Sequence, residues 1–234
     1  MLDIHGGVKM KILSIKNLTK RYPKFLLDKV SFDLEEGYIM GFIGSNGAGK
    51  TTTLKSMLNL VYPESGEVKF FELDLNENER EIKQKLGFMF GDTDFYIKRK
   101  LVDITDVVKR FYDNWDQEIY DKLIQKFDLD QSKKLEELSR GMRVKFSLVL
   151  ALSHDAQLLI LDEPTSGLDP VARDELLELF QELVEDGKRS ILFSTHITSD
   201  LEKCADYITY INNGKIIEST TKDELLDTHR LVNF

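Results

Sequence analysis

The chain has 234 residues, enough for one substantial domain or for one domain with an inserted lobe. Its formal net charge of -9 argues against non-specific attraction to nucleic acid or anionic lipid, so no nucleic-acid partner is expected. The single cysteine, Cys204, excludes an intrachain disulfide and is expected to be a small buried residue rather than a nucleophile. No apolar run reaches the roughly 18–20 residues that a membrane-spanning helix needs, and the N-terminus lacks a signal-peptide pattern. Residues 1–9 are interpreted as an extension or tag.

The N-terminal part of the chain predicts strands, a glycine-rich turn and one helix. Alternation of apolar and polar residues indicates strands, and a short apolar run indicates a strand buried on both faces. The helix is predicted at residues 51–60, where Leu54, Met57 and Leu58 lie on one stripe. The predicted strands are 12–18, 30–34, 38–43, 67–71 and 86–90.

The pattern changes between residues 92 and 153, where helical spacing replaces strand alternation. The predicted helical segments are 102–111, 117–127 and 144–152. We interpret residues 92–153 as a helical subdomain inserted into an α/β core that comprises residues 10–91 and 154–234.

After this helical stretch the sheet pattern resumes. A helix is predicted between two strands, with Asp169 as its cap, Pro170 at its first position and Gly187 at its end. Asn213-Gly214 predicts a hairpin turn. Strands that alternate with helices indicate an α/β fold with a mainly parallel sheet covered on both sides. The predicted strands here are 158–161, 190–193, 208–211 and 215–218.

Residues 44–51 (GSNGAGKT) match the P-loop pattern GxxxxGK[ST] in full, between a predicted strand and a predicted helix. Glycines let the backbone wrap a phosphate, and the loop N–H groups and the helix N-terminus point at the anion. Lys50 can reach the β- and γ-phosphates, and the Thr51 hydroxyl can ligate Mg²⁺. The alternative is a glycine-rich turn with a surface lysine, which the matching context disfavours. The expected nucleotide-binding residues here are Ser45, Asn46, Gly47, Ala48, Gly49, Lys50, Thr51 and Thr52.

Two acidic residues follow a second apolar strand. Asp162 stands at the strand end, where it can bind Mg²⁺ through water, and Glu163 can polarise the attacking water. Alone, two acids at a strand end are equally consistent with the start of a loop. Beside a P-loop they predict hydrolysis of a bound nucleoside triphosphate.

Five short segments follow one another along the chain: residues 44–51, 138–142 (LSRGM), 162–164 (DEP), 166–169 (SGLD) and 195–196 (TH). In this order they resemble the motifs of the ATP-binding-cassette (ABC) ATPases, and the resemblance extends from about residue 13 to residue 227. It implies a P-loop NTPase core with a mainly parallel sheet, an antiparallel β subdomain and an inserted helical subdomain. It also implies ATP and Mg²⁺ as cofactors.

The segment at residues 138–142 resembles the family signature LSGGQ, which contacts the γ-phosphate held by a second subunit. Ser139 and Gly141 match the signature, whereas Arg140 and Met142 depart from it. The resemblance therefore implies that Ser139 and Gly141 bind nucleotide across a dimer, and that residues 166–169 couple the two sites.

Two further residues take roles from the resemblance. His196 resembles the switch histidine that contacts the γ-phosphate and so joins Glu163 and Lys50 as a catalytic candidate. Tyr22 resembles the aromatic residue that stacks on adenine, the alternative being a half-buried tyrosine at a strand end.

One part of the family pattern is missing after the strand at 86–90, where the family usually has a glutamine that senses the metal and links to the membrane subunit. Gly91 stands at that position. Asp92 or Asp94 is a candidate replacement, and an acidic loop without this role is the alternative.

The resemblance implies an ATPase subunit at the cytoplasmic face of the cell membrane. Its expected partners are a membrane-spanning permease and a second ATPase subunit, identical or different, and the favoured direction of transport is export. Among exporters the chain is similar to ATPases that expel amphipathic peptides such as phenol-soluble modulins. Alternatives are a soluble ABC-type ATPase that acts as an ATP-driven clamp and a degenerate scaffold without turnover. The compact insert argues against the clamp, and Lys50, Glu163 and His196 argue against the scaffold.

Overall fold

The computed structural model describes residues 10–90 and 96–228, which form two sheets and a set of short helices. The strands are β1 Lys11–Tyr22, β2 Phe25–Glu35, β3 Ile39–Ile43, β4 Ser65–Phe70, β5 Leu73–Asp74, β6 Leu86–Met89, β7 Leu158–Asp162, β8 Ser190–Thr195, β9 Tyr207–Asn212 and β10 Lys215–Thr221. The helices are α1 Lys50–Ser56, α2 Leu75–Gln84, α3 Leu101–Val108, α4 Gln117–Lys126, α5 Arg140–Ser153, α6 Pro170–Val184, α7 Thr198–Cys204 and α8 Lys222–Thr228.

The larger sheet has the strand order β10-β9-β3-β8-β7-β6. Neighbouring strands in this sheet are parallel, except that β9 and β10 pair antiparallel. Alternate residues of β7 face opposite sides, because Leu158 and Ile160 pack in one apolar core while Leu159 and Leu161 pack in another. The prediction of a mainly parallel sheet covered on both faces is confirmed.

The smaller sheet is antiparallel, with the strand order β2-β1-β4-β5. Leu13 and Ile15 of β1 share an apolar core with Leu54 and Met57 of α1, so this sheet packs against the helix that follows the P-loop. The antiparallel β subdomain implied by the resemblance is confirmed.

Helices α3, α4 and α5 share an apolar core of their own, which includes Ile104, Tyr120 and Phe146. The Tyr120 hydroxyl lies 3.0 Å from Oγ1 of Thr105, so its polar end is satisfied inside this core. Helices are confirmed in all three predicted segments, although α5 begins at Arg140 rather than at residue 144.

The predicted boundaries of α6 are also confirmed. The Asp169 carboxylate accepts hydrogen bonds from the backbone N–H groups of Val171 and Ala172, both at 3.1 Å. Gly187 has a φ of 71° and donates its N–H to the carbonyl of Val184, which closes the end of the helix.

The sequence pattern does not predict α2, α7 and α8. Helix α2 buries only Leu75 and Ile82 among ten residues, so its apolar residues are too few to form a recognisable helical pattern in the sequence. Helices α7 and α8 have seven residues each, about two turns, which is too short for a periodic pattern. In the two described ranges, every helix is too short or too polar to span a bilayer.

Candidate active site

Three neighbouring parallel strands bring the predicted site residues to one edge of the larger sheet. Strand β8 lies between β3 and β7. The P-loop follows β3, Asp162 ends β7 and His196 follows β8. Because the carboxyl ends of parallel strands meet at the same edge, groups that are distant in sequence lie together here.

The P-loop wraps around the Lys50 side chain, which is 6% exposed. Its ammonium donates to the carbonyl of Gly44 at 2.6 Å and contacts that of Ser45 at 3.3 Å. Gly49 has a φ of 116°, and a β-carbon there would lie 2.9 Å from Cζ of Phe25. Glycine is therefore required at this point, both for the backbone conformation and for the close approach of the aromatic ring.

Asp162 is held by two hydroxyl groups. Its Oδ2 accepts from Oγ1 of Thr51 at 2.8 Å, and its Oδ1 accepts from Oγ of Ser194 at 2.6 Å. Ser194 also accepts from the backbone N–H of Glu163 at 2.9 Å. Carboxylate and hydroxyl oxygens are the hard donors that Mg²⁺ prefers, with remaining positions left to water and phosphate. The side-chain oxygens of Asp162 and Thr51, which lie within hydrogen-bonding distance of each other, are therefore suitable ligands for Mg²⁺.

Glu163 lies at the centre of the site and has a φ of 51°, a left-handed conformation that non-glycine residues rarely adopt. Its Oε1 is 3.1 Å from Nζ of Lys50, and its Oε2 is 2.8 Å from Nδ1 of His196. The side chain therefore bridges the P-loop lysine and the histidine. Strain of this kind persists only where surrounding contacts enforce it.

A cleft of about 780 Å³ opens over these groups, and most of the predicted nucleotide contacts line it. Ala48 does not; it is buried, and its carbonyl accepts from the N–H of Gly214 at 2.8 Å. The lining residues are Tyr22, Lys24, Phe25, Ser45, Asn46, Gly47, Gly49, Lys50, Thr51, Thr52, Arg140, Asp162, Glu163, Ser166 and His196.

Ser139 and Gly141 are not among the described residues that line this cleft. Ser139 caps α5 by accepting from the N–H of Met142 at 3.2 Å, and Gly141 packs near Leu168. The signature residue that reaches the cleft is Arg140, whose Nη2 donates to the carbonyl of Glu163 at 3.3 Å. The structure thus separates Ser139 and Gly141 from the P-loop of the same chain.

Some residues of the site were not predicted. Lys24 and Phe25 line the cleft, and Ser194 holds Asp162 from β8. Arg140 and Ser166 also line the cleft; they belong to segments that the resemblance had associated with the nucleotide, but contacts within the same chain were not expected of them. The signal for Ser194 was available in part, because a polar residue follows the apolar run at residues 191–193. Lys24 and Phe25 depend on tertiary contacts that no local pattern reports.

Two further expectations from the sequence concern other residues. Cys204 is 4% exposed, which confirms the prediction that it is buried, and burial raises the pKa of its thiol to about 12. Gly91, Asp92 and Asp94, on which the question of the missing glutamine depends, lie outside the described residues, as do residues 1–9.

Known proteins are similar to this chain in sequence and in fold. A profile of the family described as "ABC transporter" matches residues 27–166. The chain is 32% identical over 222 residues to the bacitracin transport ATP-binding protein BcrA of Bacillus licheniformis, covering 94% of this chain and 72% of that protein. It is 32% identical over 226 residues to the Nod factor export ATP-binding protein I of Burkholderia orbicola, covering 92% and 73%. A solved structure of the ATP-binding subunit of an ABC transporter has a TM-score of 0.81 and 28% identity, covering 93% of this chain and 92% of that one.

The parallel sheet and the loop at its edge define a P-loop nucleotide-binding protein. With the sequence comparisons, the chain belongs to the ABC transporter ATPases and is an ATP-hydrolysing subunit of an ABC transporter.

Proposed function

We propose that the chain hydrolyses Mg-ATP in a head-to-tail dimer and thereby drives export through a separate membrane-spanning permease. The observation that carries the hydrolytic part of this proposal is the bridge that Glu163 forms between Lys50 and His196 at the P-loop. The bridge places a cation suited to phosphate beside a carboxylate suited to accept a proton from water.

The roles proposed for individual residues follow from these contacts. Lys50 binds the β- and γ-phosphates, and Glu163 accepts the proton of the attacking water. His196 orients the Glu163 carboxylate and contacts the γ-phosphate. Thr51 and Asp162 hold Mg²⁺, which when bound neutralises charge on the phosphates.

The remaining P-loop residues bind the phosphates through the backbone and short side chains. Ser45, Asn46, Gly47, Gly49 and Thr52 line the cleft. Their N–H groups suit an anion because a loop of this kind concentrates donors at one point.

We propose a dimer because the P-loop and two of the signature residues of one chain do not face the same cleft, although both are expected to contact phosphate. Ser139 and Gly141 lie outside the cleft of their own chain. The Ser139 side chain is exposed, and its hydroxyl accepts from Met142 while keeping its hydrogen available for a phosphate. The phosphate of an ATP bound to a second ATPase subunit, identical or different, would accept that hydrogen bond.

Tyr22 is proposed to stack on adenine, since it is 40% exposed and lines the cleft. Tyr22→Ala should weaken ATP binding by about 1–2 kcal/mol with little change in maximal turnover. GTP should also be used, because stacking recognises a π-face. The control is Tyr62→Ala, which removes an exposed tyrosine outside the cleft. Nucleotide affinity equal in both variants would contradict the assignment.

The proposed location is the cytoplasmic face of the cell membrane, where the permease would recruit the chain. We also propose that residues 10–91 and 154–234 form the core and that residues 92–153 form the helical subdomain. Similarity to the Nod factor export ATP-binding protein I supports export as the direction, and the cargo would be selected by the permease.

The transport role is tested by purifying the tagged chain from its native cells. We expect it in detergent-solubilised membranes, in fixed ratio with a protein that has several membrane spans, and we expect that complex to hydrolyse ATP. Recovery from the soluble fraction with DNA or ribosomes, and without a membrane protein, would favour the ATP-driven clamp instead.

A further inference from the structure

A fully buried carboxylate lies behind the site. Asp200, on α7, is 0% exposed. Its Oδ2 accepts hydrogen bonds from the hydroxyls of Thr165 at 2.7 Å and Thr195 at 3.1 Å. Its Oδ1 accepts from Nε of Arg173, on α6, at 2.6 Å. Both threonines are almost completely buried, so these bonds form away from solvent.

The two threonines stand on the segments that carry the proposed catalytic groups. The ladder between β7 and β8 ends one residue before Glu163, so beyond it the two segments no longer pair as strands. Thr165 follows Glu163 by two residues, and Thr195 directly precedes His196. A single carboxylate therefore joins both segments at the point where the sheet ceases to hold them together.

We propose that Asp200 is a positioning residue, which fixes Glu163 relative to His196 by holding Thr165 and Thr195. Hydrogen bonds to an ionised carboxylate are short and strong, and Arg173 compensates the burial of the charge. The inference rests on the catalytic roles proposed for Glu163 and His196.

The backbone of Glu163 gives a second reason for such an anchor. Its left-handed φ of 51° must be enforced by neighbouring contacts. The Thr165 hydroxyl, two residues further on, is a buried anchor on the same segment. Loss of this bond would let Glu163 relax and move its carboxylate, and small displacements of reacting groups cost large factors in rate.

The test uses threonine-to-valine changes, which remove one hydroxyl and preserve the shape. Thr165→Val and Thr195→Val should each lower kcat for ATP hydrolysis by about 10-fold, with KM for ATP changed less than about 2-fold. Thr165→Ser and Thr195→Ser keep the hydroxyl and should restore most of the turnover. The double valine variant should lose less than the product of the single losses, because both bonds act through one carboxylate.

The matched control is Thr105→Val. Thr105 is buried within the helical stretch, where its hydroxyl bonds to the carbonyl of Leu101 and to Tyr120. This change should lower the melting temperature and leave kcat unaltered. Each valine variant at the site is an independent test, measured at a temperature where the protein is folded.

The outcomes separate this inference from the proposed function. If Glu163→Gln stops turnover but both valine variants match Thr105→Val in kcat, the positioning role is wrong. Equal losses in the serine and valine variants, or a change confined to KM, would also overturn it. If Glu163→Gln hydrolyses ATP normally, the proposed function itself fails.

Discussion

Replacing Glu163 with glutamine is expected to slow ATP hydrolysis by about 10²-fold or more. Glutamine keeps the size and the hydrogen bonding of the side chain, but it cannot accept the proton of the attacking water. The change also removes the ion pair with Lys50, whose ammonium lies 3.1 Å from the carboxylate. We therefore expect ATP to bind more tightly to Glu163→Gln than to the unchanged protein, because the lysine no longer has a competing anion.

Slow hydrolysis should leave ATP holding two chains together. Sedimentation or light scattering with and without Mg-ATP measures this directly. The control is Glu182→Gln, which removes an exposed carboxylate paired with Lys126 on the helical stretch and should hydrolyse ATP normally. A Glu163→Gln protein that stays monomeric at saturating ATP and turns over normally would contradict both the catalytic role and the dimer. A monomer without turnover would contradict only the homodimer and would favour a different ATPase partner.

The sequence predicted the parts of the fold that depend on local periodicity. Strand β7 is apolar along its whole length and lies in the centre of a covered sheet, so its pattern and its burial agree. The P-loop was equally readable, because the phosphate-binding backbone needs glycine at positions such as Gly49. Both features depend on residues that are close in sequence, so they can be predicted without knowledge of the tertiary structure.

Beyond the P-loop, the sequence named several residues that the structure brings together, but it did not predict the contacts between them. The resemblance named Glu163 and His196, but nothing in the sequence placed the carboxylate between that histidine and Lys50. Arg140 was noted as a departure from the family signature, and its contact with the backbone of Glu163 joins residues that only folding brings together.

Asp200 shows why such connections are missed. It lies on α7, a helix of seven residues, and an aspartate in the first turn of a short helix would ordinarily be read as an exposed, dipole-stabilising residue. Its complete burial follows from the packing of α6 against α7, which brings Arg173 to the carboxylate. A buried charge of this kind becomes interpretable only when its partners are known.

Replacing Lys50 with alanine is expected to weaken ATP binding strongly and to prevent ATP-dependent association. Charge-assisted hydrogen bonds from this ammonium to the phosphates are worth about 3 kcal/mol, which corresponds to a loss of about 10²-fold in affinity. Because Lys50 is 6% exposed and neutralises Glu163, the change also removes a buried cation, so binding must be measured by calorimetry at a temperature where the variant is folded. Lys145→Ala, which removes an ion pair with Glu175 away from the cleft, is the matched control and should bind ATP normally. ATP affinity within about 2-fold of the unchanged protein in Lys50→Ala would show that the nucleotide does not use the P-loop lysine.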